Sequence, residues 1–446
     1  MNCKIWKYLS GLLIVLMFLA TGSHANAQFN PVKFYKDSLD NGLQVIYCQD
    51  KSAPIVATIM HYRVGSKDEV STQTGYAHFF EHLMFEATED IPRSSIDKYV
   101  QEAGGNLNAS TSFDQTVYFF KLPANQLKLA LWIESERMRK LKVDKDGVET
   151  QRGVVLEEIK QRTTNQPYGT LLQKTMENLF GGTSYGWSVL GYEKNIAAAT
   201  IEQFRSFYNK FYQPNNATLV VAGDFDAPET RKLINEYFGA YDRGPEPKRS
   251  AINLPPLNKG YREVIDDDKV KLPGVFISYR GPAKNDSNFY AASLLTDILA
   301  SGESSRLYQR LVNEEQIAVN ASVMPMTLQY AGVLMLIGIA SPGKNIEDVE
   351  EIIHEEIDKI IENGVTEEEL EKAKNIAEAE FVSDKKNVLS KARALAQYNS
   401  YYSDPGLINT ELERYLEVTI DDIKRVAKQY YGTDNNVTLV YMPKEK

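Results

Sequence analysis

TIEQFRSFYNKFYQPNNATLVVAGD, residues 200–224, returns in outline at 419–442 as TIDDIKRVAKQYYGTDNNVTLVYM. In both, Thr-Ile opens a segment of helical period, aromatic residues follow, an Asn-Asn pair marks a turn, and Thr-Leu-Val reads as a strand. The offset of about 220 residues implies duplication of a unit of that size. Strand-like runs surround the copies at Gln44–Cys48, Val56–Val64, Thr116–Lys121 and Thr218–Ala222, then at Gly274–Tyr279 and Val333–Ile339. Helical segments interleave with them irregularly. That pattern predicts an α+β protein rather than a doubly wound parallel sheet: two homologous α/β-sandwich-like domains of about 200–220 residues, with mixed or antiparallel sheets packed against helices. The break between copies falls in RGPEPKRSAINLPPLNKG, residues 243–260, which is rich in Pro and charge and follows neither period. The expected boundaries are a first domain at 28–245, a linker at 246–260 and a second domain at 261–446.

Residues 1–27 have Lys4 and Lys7, an apolar run from Leu9 to Ala20, and small residues ending in Ala25-Asn26-Ala27. This is the layout of a secretory signal peptide, and the run is well short of the roughly 20 residues that span a bilayer as a helix. The expectation is therefore an exported protein, periplasmic or alternatively secreted, with no stable membrane span. With Cys3 inside the signal, Cys48 is the one thiol left, so no intramolecular disulfide is available and stability must come from burial. A formal charge of −10 without a basic block argues against nucleic acid as a partner.

Two of the five histidines stand in GYAHFFEHLMFEAT, residues 75–88. On a helix, His78, Glu81 and His82 project from one face. Two imidazoles one turn apart can share a zinc ion, and a carboxylate between them can accept a proton from water the metal activates. An amphipathic helix with two partly buried rings would use the same letters. A third ligand would decide, and VETQRGVVLEEIKQR, residues 148–162, offers one. There Gln151, Val155, Glu158 and Ile159 share a stripe, whereas Glu157 lies beside Gly153 and Gln161. A carboxylate on an apolar stripe is costly to desolvate without a cation, which favours Glu158 over Glu157 as a ligand. An ordinary boundary glutamate paired with Arg162 is the plainer account. His61, in the strand-like run ATIMHYRVG, is explained by alternation alone.

Taken together, these residues resemble the pitrilysin/insulinase-type zinc metallopeptidases, in the branch of the mitochondrial processing peptidase. The resemblance rests on Gly65-Ser66 with Asp68-Glu69, on Gly75-Tyr-Ala-His-Phe-Phe-Glu-His-Leu-Met-Phe, on Gly104-Gly105-Asn106-Leu107-Asn108-Ala109-Ser110-Thr111, and on Arg152-Gly-Val-Val-Leu-Glu-Glu158, in that order. It implies a metalloendopeptidase holding one Zn2+ per chain through His78, His82 and Glu158, with Glu81 as general base. It also implies that Asn108, Ala109, Ser110 and Thr111 form an edge strand that binds an extended peptide substrate through its backbone.

Two departures from the family matter. Where members often carry a second glutamate near the ligand helix, this chain has Gln151, which can hydrogen-bond but bears no charge. Where active members carry an Arg and a Tyr reaching into the zinc site, this chain has Val312 and Val319, and Arg306, Tyr308 and Arg310 precede those positions. The resemblance then implies the zinc-bearing half of a heterodimer, with a homologous subunit supplying the Arg/Tyr pair. The alternative is a non-catalytic scaffold or binding subunit of a processing-peptidase-like assembly.

Overall fold

β-Branched and aromatic runs build two sheets, and each sheet repeats the other's plan. A computed structural model describes residues 30–249, 251–257, 259–432 and 435–444; the signal-peptide reading of residues 1–27 lies outside them. The first sheet contains β1 (Tyr35–Ser38), β2 (Gln44–Gln49), β3 (Ile55–Tyr62), β4 (Asn106–Thr111), β5 (Thr116–Pro123) and β6 (Ala217–Gly223). Their order is β1-β2-β6-β3-β5-β4, with β2 parallel to β6 and every other pair antiparallel. The second contains β7 (Tyr261–Asp267), β8 (Gly274–Gly281), β9 (Ala318–Thr327), β10 (Gly332–Ala340) and β11 (Asn436–Pro443), in the order β7-β11-β8-β10-β9. Again one parallel pair, β7 with β11, precedes antiparallel neighbours. Strands β6 and β11, the ends of the two sequence copies, thus take equivalent places.

The helices of the repeat begin alike. Thr200 caps helix Ile201–Phe211 in a capping box with Gln203, and Thr419 caps helix Ile420–Tyr430 in one with Asp422. In the first copy Phe204, Phe207, Tyr208 and Phe211 recur at helical spacing and are buried. They receive Phe79 and Phe80 from helix Tyr76–Leu83, with Phe79 stacked on Phe204 at 4.2 Å between ring centroids and Phe80 on Phe207 at 5.6 Å. Each such ring contributes about 1.5–3 kcal/mol on burial. The opposite side of this short helix is left for His78, Glu81 and His82.

Every residue of β6 is buried, because the sheet is covered on both faces. One cover is the helical layer just described. The other comes from the second half: helix Val388–Tyr402 packs on β6 and β3. It is pinned there by Asn399, whose amide donates to Gln44 at 2.7 Å and Thr218 at 3.1 Å, and by the Lys391–Asp50 ion pair. Reciprocally, helix Leu171–Phe180 of the first half packs on β8 and β11, where Leu171, Met176, Leu179 and Phe180 share a core with Phe276, Val437, Leu439 and Tyr441. The result is a two-domain α+β fold in which each half lends the other a helix. Strand β4 stays at an edge, with residues alternating between exposed and half-buried.

Candidate metal centre and peptide cleft

Helix Tyr76–Leu83 starts at Gly75, whose backbone is left-handed at φ 85°. A Cβ there would also meet the carbonyl of Leu190 at 2.5 Å, so glycine is required twice over. Glu69 secures this start. Its carboxylate accepts the N–H of Gly75 and of Ala77, both at 2.8 Å, and the indole N–H of Trp187 at 3.1 Å. A negative group at a helix N-terminus is favoured by the helix dipole and by the unpaired N–H groups. Complete burial nevertheless pushes this carboxyl up to about 8, against the pull of those donors.

The helix Lys145–Arg162, capped by Asp144, crosses beneath. Val155 and Ile159 are buried and Glu157 is exposed. Glu158 lies between, and its Oε2 is 3.1 Å from His82 Nε2 and 3.6 Å from His78 Nε2. One ligand atom from each of the three lies within 4.8 Å of the others. The remaining oxygen of Glu158 takes Arg162 at 2.8 Å, so the ion pair and the histidine contacts coexist on one carboxylate.

The protonation states suit a cation. Burial, followed by the neighbouring His82, holds His78 down to about 4, so its ring is neutral at pH 7. Hydrogen bonding to His82, helped by His78 and Arg162, holds Glu158 below the usual carboxylate range despite its partial burial. Two imidazoles, that of His78 neutral, and one ionised carboxylate within reach of a common point form a nitrogen and oxygen donor set that fits zinc. Glu81, mostly buried, is raised by that burial, with Thr111 and His82 opposing and Glu158 reinforcing. A raised carboxyl suits general-base work near neutral pH.

His78, Glu81, His82 and Glu158 open onto a cleft of about 760 Å3 that Ala109, Ser110 and Thr111 of β4 also line. Of the expected strand residues, Asn108 is not brought to the cleft: it is exposed, and its side chain turns back on the Ala109 N–H at 2.8 Å. Gln151 is also outside the cleft lining; it donates to Glu86 at 2.7 Å, and Arg93 sits 2.8 Å from the same carboxylate. Gln151 is thus tied to Glu86, four residues after His82.

Every residue lining the cleft comes from the first half. Val312 packs against the second core and Val319 is 47% exposed. Arg306 is held by both oxygens of Glu369 at 2.6 and 2.7 Å, and Arg310 by Glu315, Glu355 and Glu356. Sequence reading gave no role to Glu69, Trp187 or Glu86. Only Glu69 and Glu86 had a signal, their adjacency to the motifs.

The chain is similar to known proteins in sequence and fold. Residues 44–192 match the insulinase (peptidase family M16) profile, and 198–377 match the peptidase M16 inactive domain. The chain is 31% identical over 444 residues to zinc protease PqqE of Helicobacter pylori, covering 98% of this chain and 99% of that one. The crystal structure of a protease from Helicobacter pylori superposes with a TM-score of 0.88 at 29% identity, covering 93% of this chain and 100% of the other. The first half of the periplasmic protease PqqL from Escherichia coli has the same fold, with a TM-score of 0.77 at 22% identity and 93% of each chain covered. The duplicated fold, the His-x-x-Glu-His helix and these likenesses converge: the chain belongs to the insulinase, or M16, family of peptidases.

Proposed function

We propose that the protein is an exported zinc-dependent endopeptidase that cleaves unstructured peptides or precursor segments. One observation carries the reading: the imidazoles of His78 and His82, the carboxylate of Glu158 and the half-buried Glu81 share a cleft with the edge strand β4. An extended chain would add to β4 through backbone hydrogen bonds, which reads length and extension rather than sequence. His78, His82 and Glu158 would hold zinc, whose Lewis acidity would activate water and polarise the scissile carbonyl. Glu81 would take the proton from the attacking water and pass it to the leaving nitrogen. Arg162 would keep Glu158 oriented through its second oxygen.

Among the described residues the cleft receives no donor from the second half, while stabilising a developing oxyanion is commonly a large catalytic contribution. We therefore assign the chain the zinc-bearing role in a heterodimer, with a homologous subunit supplying an Arg and a Tyr where Val312 and Val319 stand. Periplasmic export follows from the signal-like residues 1–27, and the likeness to the periplasmic protease PqqL of Escherichia coli is in keeping with it. The test is a peptidase assay of the chain with and without its candidate partner, wild type against Glu81→Gln. Activity that appears with the partner and vanishes in Glu81→Gln is expected; activity that survives the substitution would remove the mechanism.

A further inference from the structure

Two hairpin turns meet head to head. Residues 112–115 join β4 to β5, and residues 328–331 join β9 to β10, the equivalent hairpin of the second sheet. Each turn is closed by the same bond: the Ser112 N–H donates to the Gln115 carbonyl at 2.8 Å, and the Leu328 N–H to the Ala331 carbonyl at 2.9 Å. The two middle N–H groups of the second turn find their acceptors on the first half. Gln329 donates to Asp114 Oδ2 at 2.9 Å, and Tyr330 to the Tyr185 hydroxyl oxygen at 3.4 Å.

Asp114 is the centre of this junction, and it is buried. Its Oδ1 accepts the Tyr185 hydroxyl at 2.6 Å and lies 3.5 Å from Lys67 Nζ, which also donates to the Asp114 backbone carbonyl at 2.9 Å. Its Oδ2 takes the Gln329 N–H and, more loosely, the Tyr401 hydroxyl at 3.5 Å. One oxygen thus serves the first half and the other the second. A buried carboxylate needs such compensation, and hydrogen bonds to an ionised acceptor are stronger than neutral ones. Phe113 of the same turn shares an apolar core with Leu328 and Ala331, so packing and charge act at one place.

Strand β4 depends on this junction. It pairs with β5 alone, so its place is set by one ladder and by the turn that ends it. Thr111, its last residue, lines the cleft with Glu81 and stands three residues before Asp114. Among the described residues the second half lines none of the cleft, yet through Gln329 and Tyr401 it holds the end of the strand that does.

We propose that Asp114 is a positioning residue for peptide binding: it ties the β4–β5 turn to the second half and so fixes the edge of β4 relative to helix Tyr76–Leu83. This role rests on the peptidase reading above. It gives the half without metal ligands a part in binding the substrate, exerted through one carboxylate.

The experiment separates peptide binding from metal binding. The full-length Glu81→Gln chain, loaded with zinc, is titrated by fluorescence anisotropy with fluorescein-labelled casein peptides. Adding Asp114→Ala should weaken peptide binding about tenfold, the order expected for one lost charge-assisted hydrogen bond. Zinc affinity, read by competition with a chelator, should stay within about twofold, as for a distant and independent site. Asp114→Asn keeps an acceptor oxygen for the Gln329 N–H and should recover most of the peptide affinity. Hydrogen exchange in Asp114→Ala should quicken over residues 106–115 and 328–331 and stay unchanged in helix Tyr76–Leu83. Zinc and peptide affinity falling in parallel, or peptide affinity that Asp114→Ala leaves intact, overturns the role while leaving the peptidase reading standing. Should Asp114→Ala fail to fold, Tyr185→Phe removes one donor from the same carboxylate and should show the same split; its absence there counts equally against the role. Absence of all peptide binding by the chain that retains Asp114, with or without the partner, overturns both.

Discussion

The Glu69 carboxylate receives the backbone N–H of Ala77 at 2.8 Å, one residue before His78. The first imidazole of the metal centre is thus set by a side chain outside its helix. Glu69→Gln replaces one acceptor oxygen by an NH2 facing a donor. A buried donor left unpaired costs about 1–3 kcal/mol, and denaturant titration should show a loss of that order. Zinc affinity, measured by competition with a chelator, should fall as well, because the helix start is no longer fixed.

Arg162 holds the second oxygen of Glu158 from a side chain that is 62% exposed. Arg162→Ala should leave stability almost unchanged, since an exposed pair contributes little. Zinc affinity should drop by about tenfold, the low end for loss of an orienting partner. An unaltered affinity would show that Glu158 is positioned by its backbone alone.

His61 gives a pH signature remote from the metal. Its ring titrates at about 4 in the fold, below the usual histidine value of 6.5, because burial disfavours the charged form. The neutral ring therefore supports the fold fully above pH 6.5, and that support is lost as pH falls from 6.5 towards 4. Wild type should lose about 2 kcal/mol more than His61→Gln between pH 7 and pH 5, read from paired denaturation curves. Parallel curves at the two pH values would contradict this assignment.

Phe204 is fully buried and stacks on Phe79 while meeting Phe80 edge-on at 6.0 Å. Phe204→Ala should cost about 3–5 kcal/mol through the cavity it leaves. Because Phe79 and Phe80 alternate with the metal-facing residues of their helix, zinc binding should weaken in the same variant. Phe207→Leu, which keeps most of the volume, should cost less than half as much.

Local pattern carried much of this into the sequence. Thr-Ile with a helical period and a strand needs no distant partner to be read, so the repeat at 200 and 419 announced the duplicated fold. His78, Glu81 and His82 share a face by spacing alone, and Glu158 was separated from Glu157 by the stripe of Val155 and Ile159. What escaped depends on contacts far apart in the chain. Trp187 reaches Glu69 across 118 residues, and no period marks either end. Strands β7 and β9 went unread because they are edge strands with mixed exposure, weakly patterned beside the central β8 and β10. Asn108 lies on the expected edge strand β4, where a backbone role does not depend on the direction of its side chain.

The exchanged helices also impose an order on biosynthesis. Strands β1 to β6 are complete when residue 223 has been made, yet the outer face of β6 and β3 is covered by residues 388–402. A nascent first half therefore waits, with an apolar sheet face uncovered, until nearly the whole chain has been translated. Such a chain is slow to lock during synthesis, which is the condition a polypeptide needs if it is to be threaded through a membrane before it folds.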